Sequence, residues 1–178
     1  MEFSYYYTRE YFPTRFPASQ SDWDNRHAVW NFKDGACDSS VLNDLARYVN
    51  TIVGSGHKSD YVICFIPAST KSKTENRYAS VARQLTARTD VESTLSAIIK
   101  TVDSAAGHLL GKNGNPTADF SFNSSYFRGK KVILVDDVIT RGRTFCDTAL
   151  KLISNGALSV VGLFVAKTVN PDWDCSVA

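Results

Sequence analysis

The chain has 178 residues, of which 43% are hydrophobic and 21% charged, and its 20 basic and 18 acidic residues leave a net charge of +2. This length and composition predict one globular domain over residues 1–178 with a sizeable core. So balanced a charge gives no support to nucleic acid as a partner. The chain has no run of about 18 apolar residues and no apolar signal segment at its N-terminus, which predicts a cytoplasmic protein without a membrane partner.

The cysteines are four in number and widely scattered: Cys37, Cys64, Cys146 and Cys175. They form no CxxC pair, and no cysteine and histidine have a spacing suited to zinc. The sequence therefore predicts reduced thiols and no zinc module.

The N-terminal part of the chain has the weakest pattern. Residues 1–26 are rich in Tyr, Phe and Pro without a clean period, which predicts irregular structure packed by aromatic side chains. Residues 27–33, HAVWNFK, have strand character and end at a turn-like Asp-Gly pair. Apolar residues then recur at helical spacing from Val41 to Ile52, and Gly54 is placed to end that helix.

The middle of the chain predicts a buried strand, two helices and a polar segment. Residues 61–68 are apolar without alternation, as expected of a parallel strand buried on both faces. Helical spacing returns in residues 78–85, and a longer helix is predicted from Val91 to Leu109. Residues 111–130 are mostly polar, interrupted by a short candidate edge strand at residues 118–122.

The last third predicts a strand–helix–strand unit, with strands at residues 131–137 and 159–167 and a helix at residues 145–153. Such crossovers are almost always right-handed and place their two strands parallel. The sequence therefore predicts an α/β fold with a central, mostly parallel sheet flanked by helices. Its core would span residues 60–168, and residues 1–35 would form a small hood over the strand ends.

Two adjacent acids, Asp136 and Asp137, end an apolar strand and precede a loop of Thr, Gly and Arg. Ligands of open parallel sheets bind outside the carboxyl ends of the strands, where the next helix presents unpaired N–H groups and its positive dipole end. Gly142 permits a tight turn, and Thr140 and Thr144 offer hydroxyl donors, so the loop suits a phosphate. The carboxylates would repel that phosphate and suit ribose hydroxyls or a divalent cation. A phosphorylated ribose satisfies both halves of the motif.

A different interpretation makes the acids part of a Walker B strand in a nucleotide-hydrolysing enzyme, which requires a P-loop elsewhere. The nearest candidate, GSGHKS at residues 54–59, has His where the second Gly must lie and precedes a predicted strand rather than a helix. The sequence therefore favours the ribose-phosphate interpretation.

The stretch VILVDDVITRGRT, residues 132–144, resembles the signature of type I phosphoribosyltransferases, in which four apolar residues, two acids and two apolar residues precede a loop rich in Thr, Ser and Gly. The resemblance implies that Asp136 and Asp137 bind the ribose 2′ and 3′ hydroxyls of phosphoribosyl pyrophosphate (PRPP). Arg141 stands where many members have Thr or Ser. The residues implied in binding the 5′-phosphate are Ile139, Thr140, Arg141, Gly142, Arg143 and Thr144.

Similarity to the ComF-like branch of this family extends over about residues 60–168. The segments CFIPAST (64–70) and NRYASVARQL (76–85) are similar to the strand, pyrophosphate loop and helix of that branch. ComF proteins usually carry an N-terminal cysteine zinc module, which this chain lacks, so the DNA-uptake role of the branch is not expected.

The loop after residues 61–68 is the expected pyrophosphate site, although Lys-rich loops are also common as solvated surface. Lys167, near the end of the last strand, would contact an incoming base or lie in solvent. The residues expected to hold pyrophosphate are Ser69, Thr70, Lys71, Lys73 and Arg77.

The resemblance implies an enzyme that transfers the 5-phosphoribosyl group of PRPP to a nitrogen nucleophile, a nucleobase or an amine, and releases pyrophosphate. Asp136, Asp137 and Lys71 would be its catalytic residues. Mg²⁺ would be its cofactor, held through PRPP without a direct protein ligand. The alternative is a non-catalytic PRPP-binding protein with a regulatory or competence-related role, and a homodimer is compatible with either.

Overall fold

The computed structural model describes residues 2–102 and 117–169. Short 3₁₀ turns precede the second and sixth strands. The strands and helices are, in chain order, β1 (Tyr5–Tyr11), α1 (Gln20–Lys33), α2 (Ser39–Val53), β2 (Tyr61–Phe65), α3 (Lys71–Thr89), β3 (Ser93–Thr94), β4 (Ile98–Lys100), β5 (Phe120–Phe122), β6 (Lys131–Ile139), α4 (Arg143–Ser154) and β7 (Ser159–Thr168).

A five-stranded sheet with the order β1-β7-β6-β2-β3 forms the centre of the fold, and its paired strands are parallel. β6 is the middle strand, where Val135 pairs with Phe65 on one side and Leu163 on the other. Side chains of α1, α2 and α3 cover one face of the sheet, and α4 covers the other. The predicted α/β fold with a parallel sheet flanked by helices is therefore confirmed.

The N-terminal segment differs from the prediction. Residues 5–11 are not irregular, because they form β1, which pairs with β7 and so belongs to the sheet rather than to a separate hood. Residues 27–33, predicted as a strand, are the second half of α1, whose start is fixed by reciprocal hydrogen bonds between Ser19 and Asp22. The apolar pattern of this helix is hard to recognise in the sequence because a charged residue, Arg26, occupies one of its buried positions. Arg26 is accommodated there because it donates hydrogen bonds to carbonyls of the preceding loop.

The helix predicted from Val91 to Leu109 is wrong over its described part. β3 pairs with β2, and β4 pairs in antiparallel with β5 to form a separate two-stranded sheet. Pairing with distant strands therefore overrides the helical spacing of this stretch. The short strand predicted at residues 118–122 is confirmed as β5, and residues 103–109 lie outside the described residues.

The remaining predicted elements are confirmed as α2, β2, α3, β6, α4 and β7. Gly54 ends α2 as expected, and α3 starts earlier than predicted, at Lys71. Within residues 2–102 and 117–169, no helix has both the length and the apolar character needed to cross a bilayer. Cys37, Cys64 and Cys146 are free thiols, and Cys175 lies outside the described part of the chain.

Candidate functional site

The candidate site lies where β6 ends and α4 begins. Asp136 and Asp137 are near the carboxyl end of β6, and the chain then turns at Gly142, the N-cap residue of α4. Gly142 has a φ of +69°, a left-handed conformation that favours glycine. This turn brings the acids and the helix N-terminus to one edge of the sheet.

A cavity of about 300 Å³ opens at this edge. Its lining contains Asp136, residues 138–145 and Phe164. All six residues predicted to bind a 5′-phosphate are therefore gathered around one cavity, together with one of the two acids. Phe145 and Phe164, which no local motif indicated, form an aromatic wall in edge contact with centroids 5.4 Å apart.

The start of α4 has donors without internal partners. No side chain caps this helix, and its first internal hydrogen bond runs from the Cys146 N–H to the Gly142 carbonyl at 2.8 Å. Within the part of the chain that the structure describes, no acceptor is paired with the N–H groups of residues 143–145. The positive end of the helix dipole and the exposed side chains of Arg141 and Arg143 add to their effect, so this end of the cavity suits an anion.

Asp136 is held through one carboxylate oxygen. The Tyr78 hydroxyl donates to its Oδ1 at 3.0 Å, and the N–H of Asp137 donates to the same oxygen at 2.8 Å. No donor among the described residues pairs with Oδ2. Because Asp136 also lines the cavity, its second oxygen is available to a ligand.

Asp137 is engaged on both oxygens. Its Oδ1 accepts from the Val138 N–H at 2.6 Å, and its Oδ2 accepts from Arg77 Nη1 at 2.6 Å. Lys33, at the end of α1, places its Nζ 3.9 Å from the same Oδ2. Asp137 is buried and does not line the cavity, so the two adjacent acids have different environments.

Ionisation also sets Asp136 apart. Desolvation, followed by the negative charge of Asp137, raises its pKa to about 7, although hydrogen bonds from Asp137 N–H and Tyr78 and the charge of Arg77 act in the opposite direction. Burial likewise raises the pKa of the Tyr78 hydroxyl, which stays protonated and able to donate. Near neutral pH, Asp136 therefore exchanges readily between its acid and carboxylate forms.

The residues predicted to bind pyrophosphate are only partly brought together. Residues 69–71 follow β2, and Lys71 lines a second cavity of about 180 Å³ between the start of α3 and β4. Thr70 is the N-cap of α3, and its hydroxyl accepts the N–H of Lys73. Arg77 lies further along α3 and pairs with the second acid instead.

Lys167 does not line the first cavity. Its Nζ lies 5.7 Å and 5.6 Å from the ring centroids of Tyr5 and Tyr7, and a hydrogen bond with Tyr5 is the main cause of its raised pKa. The neighbouring Thr168 shares a 2.8 Å hydrogen bond with Thr140, which ties the end of β7 to the loop.

Two residues that contact the acids were missed from the sequence, Lys33 and Tyr78. Lys33 carried no signal because its segment was predicted as a strand. Tyr78 could have been found, since it falls on the apolar stripe of α3 and a buried tyrosine hydroxyl usually has a hydrogen-bond partner.

No protein-family profile matches this sequence, and no curated protein matches it. Among solved structures, the chain is similar to the glutamine PRPP amidotransferase of B. subtilis, with 21% identity and a TM-score of 0.43 over 71% of this chain and 26% of that one. It thus spans about a quarter of the amidotransferase. A hypoxanthine-guanine phosphoribosyltransferase from Bacillus anthracis is similar with 12% identity and a TM-score of 0.46, over 84% of this chain and 74% of that one. An adenine phosphoribosyltransferase has 16% identity and a TM-score of 0.45, over 73% and 71% of the two chains.

Proposed function

We propose that this protein is a phosphoribosyltransferase that transfers the 5-phosphoribosyl group of PRPP to a nitrogen nucleophile and releases pyrophosphate. The observation that carries the proposal is the cavity at the end of β6, where a carboxylate with an available oxygen and an uncapped helix N-terminus face one space. A carboxylate accepts hydrogen bonds from hydroxyls, and a helix N-terminus favours a phosphate. A ribose 5-phosphate group carries both.

The loop is proposed to bind the 5′-phosphate, and the acids to bind the ribose. The N–H groups of residues 143–145 and the hydroxyls of Thr140 and Thr144 would donate to the phosphate oxygens. Arg141 and Arg143 flank the turn and would add positive charge. Asp136 and Asp137 together would fix the ribose ring relative to this phosphate.

Transfer would break the bond between ribose C1 and the pyrophosphate oxygen and form a C1–N bond. A transition state resembling an oxocarbenium ion depends on positioning and on neutralising the leaving group. Lys71, with Ser69, Thr70 and Lys73 in the same loop, is proposed to bind the departing pyrophosphate. Lys167 is proposed to contact the incoming base.

Mg²⁺ is proposed as the cofactor, held by PRPP. Within residues 2–102 and 117–169, no group of three or more His, Cys, Asp or Glu side chains is placed to hold a metal ion. Of the two acids, only Asp136 has an oxygen not engaged by the protein. An ion that arrives bound to PRPP would supply charge neutralisation to the pyrophosphate.

The finer parts of the proposal are a ComF-like relationship, a nucleobase or amine as acceptor and a cytoplasmic location, with a homodimer compatible with them. The ComF-like relationship rests on the motifs at residues 64–70 and 76–85, the acceptor on the family resemblance, and the location on the scattered, unpaired cysteines. A PRPP-binding regulatory or competence-related protein is the alternative, because a binding cavity does not by itself require transfer.

Calorimetric titration of PRPP with Mg²⁺ tests the site. The variants are Asp136→Asn/Asp137→Asn and, as a matched control, Asp60→Asn/Asp90→Asn, which also loses two negative charges. The control residues lie just before β2 and at the end of α3, away from the cavity. We expect micromolar binding, worth about 8 kcal/mol, in the wild type and the control, and none in the Asp136/Asp137 variant.

Pyrophosphate release in the presence of nucleobases and amines then tests the chemistry. Release that requires both PRPP and an acceptor supports the enzyme. Tight binding without release for every acceptor identifies the accessory protein, and a wild type that fails to bind PRPP overturns both functions.

A further inference from the structure

Two arginines lie beside the turn that begins α4. Arg141 and Arg143 are on either side of Gly142, the N-cap residue, and both line the cavity of about 300 Å³. Both are exposed, and the side chain of Arg143 is 62% exposed. The turn therefore presents two guanidinium groups at the rim of the cavity, where it opens to solvent.

The rest of the protein makes little use of these two side chains. Within residues 2–102 and 117–169, the side chain of Arg141 has no ion-pair or hydrogen-bond partner. Arg143 has one weak contact, in which its Nε lies 4.0 Å from Asp147 Oδ2, one turn further along α4. Because an exposed ion pair of this kind contributes little to stability, contacts within the protein do not account for the two arginines.

The positive charge at this turn exceeds what one phosphate needs. A phosphate monoester carries a charge of about −1.5 to −2 at neutral pH. The N–H groups of residues 143–145 and the helix dipole, worth about half a positive charge, already suit such a group. The two guanidinium groups add two further positive charges, which Asp147 offsets only in part. The excess favours a ligand with more than one phosphate at this end of the cavity.

The diphosphate of PRPP does not supply this extra charge. It is attached to ribose C1 and is proposed to bind at the loop that follows β2, whereas the start of α4 is proposed to bind the single 5′-phosphate. A diphosphate on the 5′ carbon has its second phosphate one bridging oxygen further out, toward the rim. Arginine side chains bind the free oxygens of a terminal phosphate in a bidentate manner, and here one is available from each side of the turn.

We propose, as an inference that rests on the proposed function, that Arg141 and Arg143 form an outer phosphate subsite through which a nucleoside 5′-diphosphate binds in place of PRPP. The ribose of this ligand lies beside Asp136, its α-phosphate at the start of α4 and its β-phosphate between the two guanidinium groups. Because it occupies the ribose and 5′-phosphate positions of PRPP, it competes with PRPP and inhibits transfer.

The first test compares AMP with ADP, which differ only in the β-phosphate. Each is titrated by calorimetry at pH 8 without Mg²⁺ into the wild type and into Arg141→Thr/Arg143→Thr. We expect the wild type to bind ADP roughly tenfold more tightly than AMP and the double variant to bind the two with equal affinity. The affinity for PRPP with Mg²⁺ should fall by less than about fivefold in the double variant, because its 5′-phosphate keeps the N–H groups of α4.

Arg47→Thr/Arg83→Thr is the matched control, because it removes the same two charges from exposed positions on α2 and α3. It should keep the preference of the wild type for ADP. Arg141→Lys/Arg143→Lys keeps the charge but loses the planar donor groups, so roughly threefold preference should remain. Equal weakening of AMP, ADP and PRPP in Arg141→Thr/Arg143→Thr would mean that the arginines hold the 5′-phosphate itself, and it would overturn the inference.

The second test asks whether ADP and PRPP share the site. ADP is titrated with Mg²⁺ in the presence and absence of saturating PRPP, which should abolish measurable ADP binding. An ADP affinity that PRPP does not change would place the diphosphate elsewhere and contradict the proposal. So would a single-stranded oligonucleotide that binds more tightly than ADP and loses that binding in Arg141→Thr/Arg143→Thr, since the arginines would then serve a nucleic-acid backbone.

The two levels of the argument fail separately. A wild type that binds PRPP but binds ADP no more tightly than AMP overturns the outer subsite alone. A wild type that fails to bind PRPP overturns the proposed function as well.

Discussion

Two strand–loop–helix units, β2–α3 and β6–α4, meet at the carboxyl edge of the sheet, and they satisfy the starts of their helices differently. In α3, the Thr70 hydroxyl accepts the Lys73 N–H, and the Thr74 hydroxyl accepts the Ala68 N–H of the preceding loop. In α4, Gly142 provides no side-chain cap. The first turn of α3 is thus partly satisfied by the protein itself, whereas the first N–H groups of α4 have no acceptor among the described residues.

This difference indicates that two neighbouring strand–loop–helix units can contribute to the same site in different ways. α4 contributes through its first turn, which faces the cavity. α3 contributes further along, through Arg77 and Tyr78, which hold the acids of the adjacent strand. α4 therefore lines the cavity with its first turn, and α3 holds the two acids of β6 through side chains.

Of the substitutions that test this difference between the two helix starts, Gly142→Ala should have the largest effect, which is on PRPP affinity. A side chain at a φ of +69° is strained by about 1–2 kcal/mol, and relief of that strain would redirect the N–H groups at the start of α4. We expect PRPP affinity to fall roughly tenfold to a hundredfold in calorimetry, since small displacements of positioning groups have effects of that size.

Gly129→Ala is the matched control for Gly142→Ala, because Gly129 has a φ of +73° and nothing within 4 Å of an added Cβ. Both substitutions should lower the free energy of unfolding by a similar amount, yet only Gly142→Ala should weaken PRPP binding. Equal losses of affinity would mean that general destabilisation, and not the open helix start, explains the effect.

Gly162→Ala tests how firmly the start of α4 is held against the sheet. An added Cβ would lie 2.7 Å from Phe164 Cε2 and 2.8 Å from Phe145 Cζ, and such overpacking typically costs about 1–3 kcal/mol. Thermal unfolding measures the loss. The double variant Gly162→Ala/Phe145→Leu should recover part of it by making room, and a double variant less stable than the sum of both changes would contradict this packing.

The pH dependence of PRPP binding distinguishes the open acid from the engaged one. With a pKa of about 7, Asp136 is ionised to roughly 10% at pH 6 and 90% at pH 8, so affinity should rise about tenfold over that interval. The pH dependence of folding stability runs in the opposite direction to that of binding. Because the pKa of Asp136 is raised, the folded state holds this proton more tightly than the unfolded state. The free energy of unfolding therefore falls as the pH rises from the usual aspartate pKa of 3.8 toward 7.

PRPP carries phosphate groups that titrate near pH 6, so Asp136→Glu and Asp136→Asn are needed beside the wild type. Any pH dependence left in the residual binding of Asp136→Asn belongs to the ligand. A wild-type profile identical to that residual profile would show that Asp136 does not titrate in this range.

The cavity side of the site could be predicted from the sequence because its groups are contiguous. Residues 132–144 contain the strand end, the acids and the turn, and local rules on strands, glycine turns and helix ends apply to them directly. The α3 side could not be predicted in the same way. Arg77 and Tyr78 lie 60 and 58 residues from their acid partners, and only the pairing of β2 with β6 brings them together.

The fold shows the same division between local and distant causes. β6 and α4 follow from apolar patterns within a few residues, and they form as predicted. β4 consists of three residues whose strand conformation depends on pairing with β5, some twenty residues later. In α1, a buried arginine that binds backbone carbonyls stands where an apolar residue would have completed the helical pattern. The sequence pattern therefore did not predict this helix.

Thr70→Ala tests the cap at the start of α3. Of these substitutions it should have the smallest effect, which is on the free energy of unfolding. Loss of the hydroxyl that accepts the Lys73 N–H should lower the free energy of unfolding by about 1 kcal/mol, measured by chemical denaturation. Thr70→Ser keeps the acceptor and should retain most of that stability. If Thr70→Ala costs nothing, the hydroxyl is not needed as a cap and is available to pyrophosphate. The start of α3 would then offer free hydrogen-bonding groups as the start of α4 does. Both helices would contact the ligand through their first turns, and the difference between the two units would disappear.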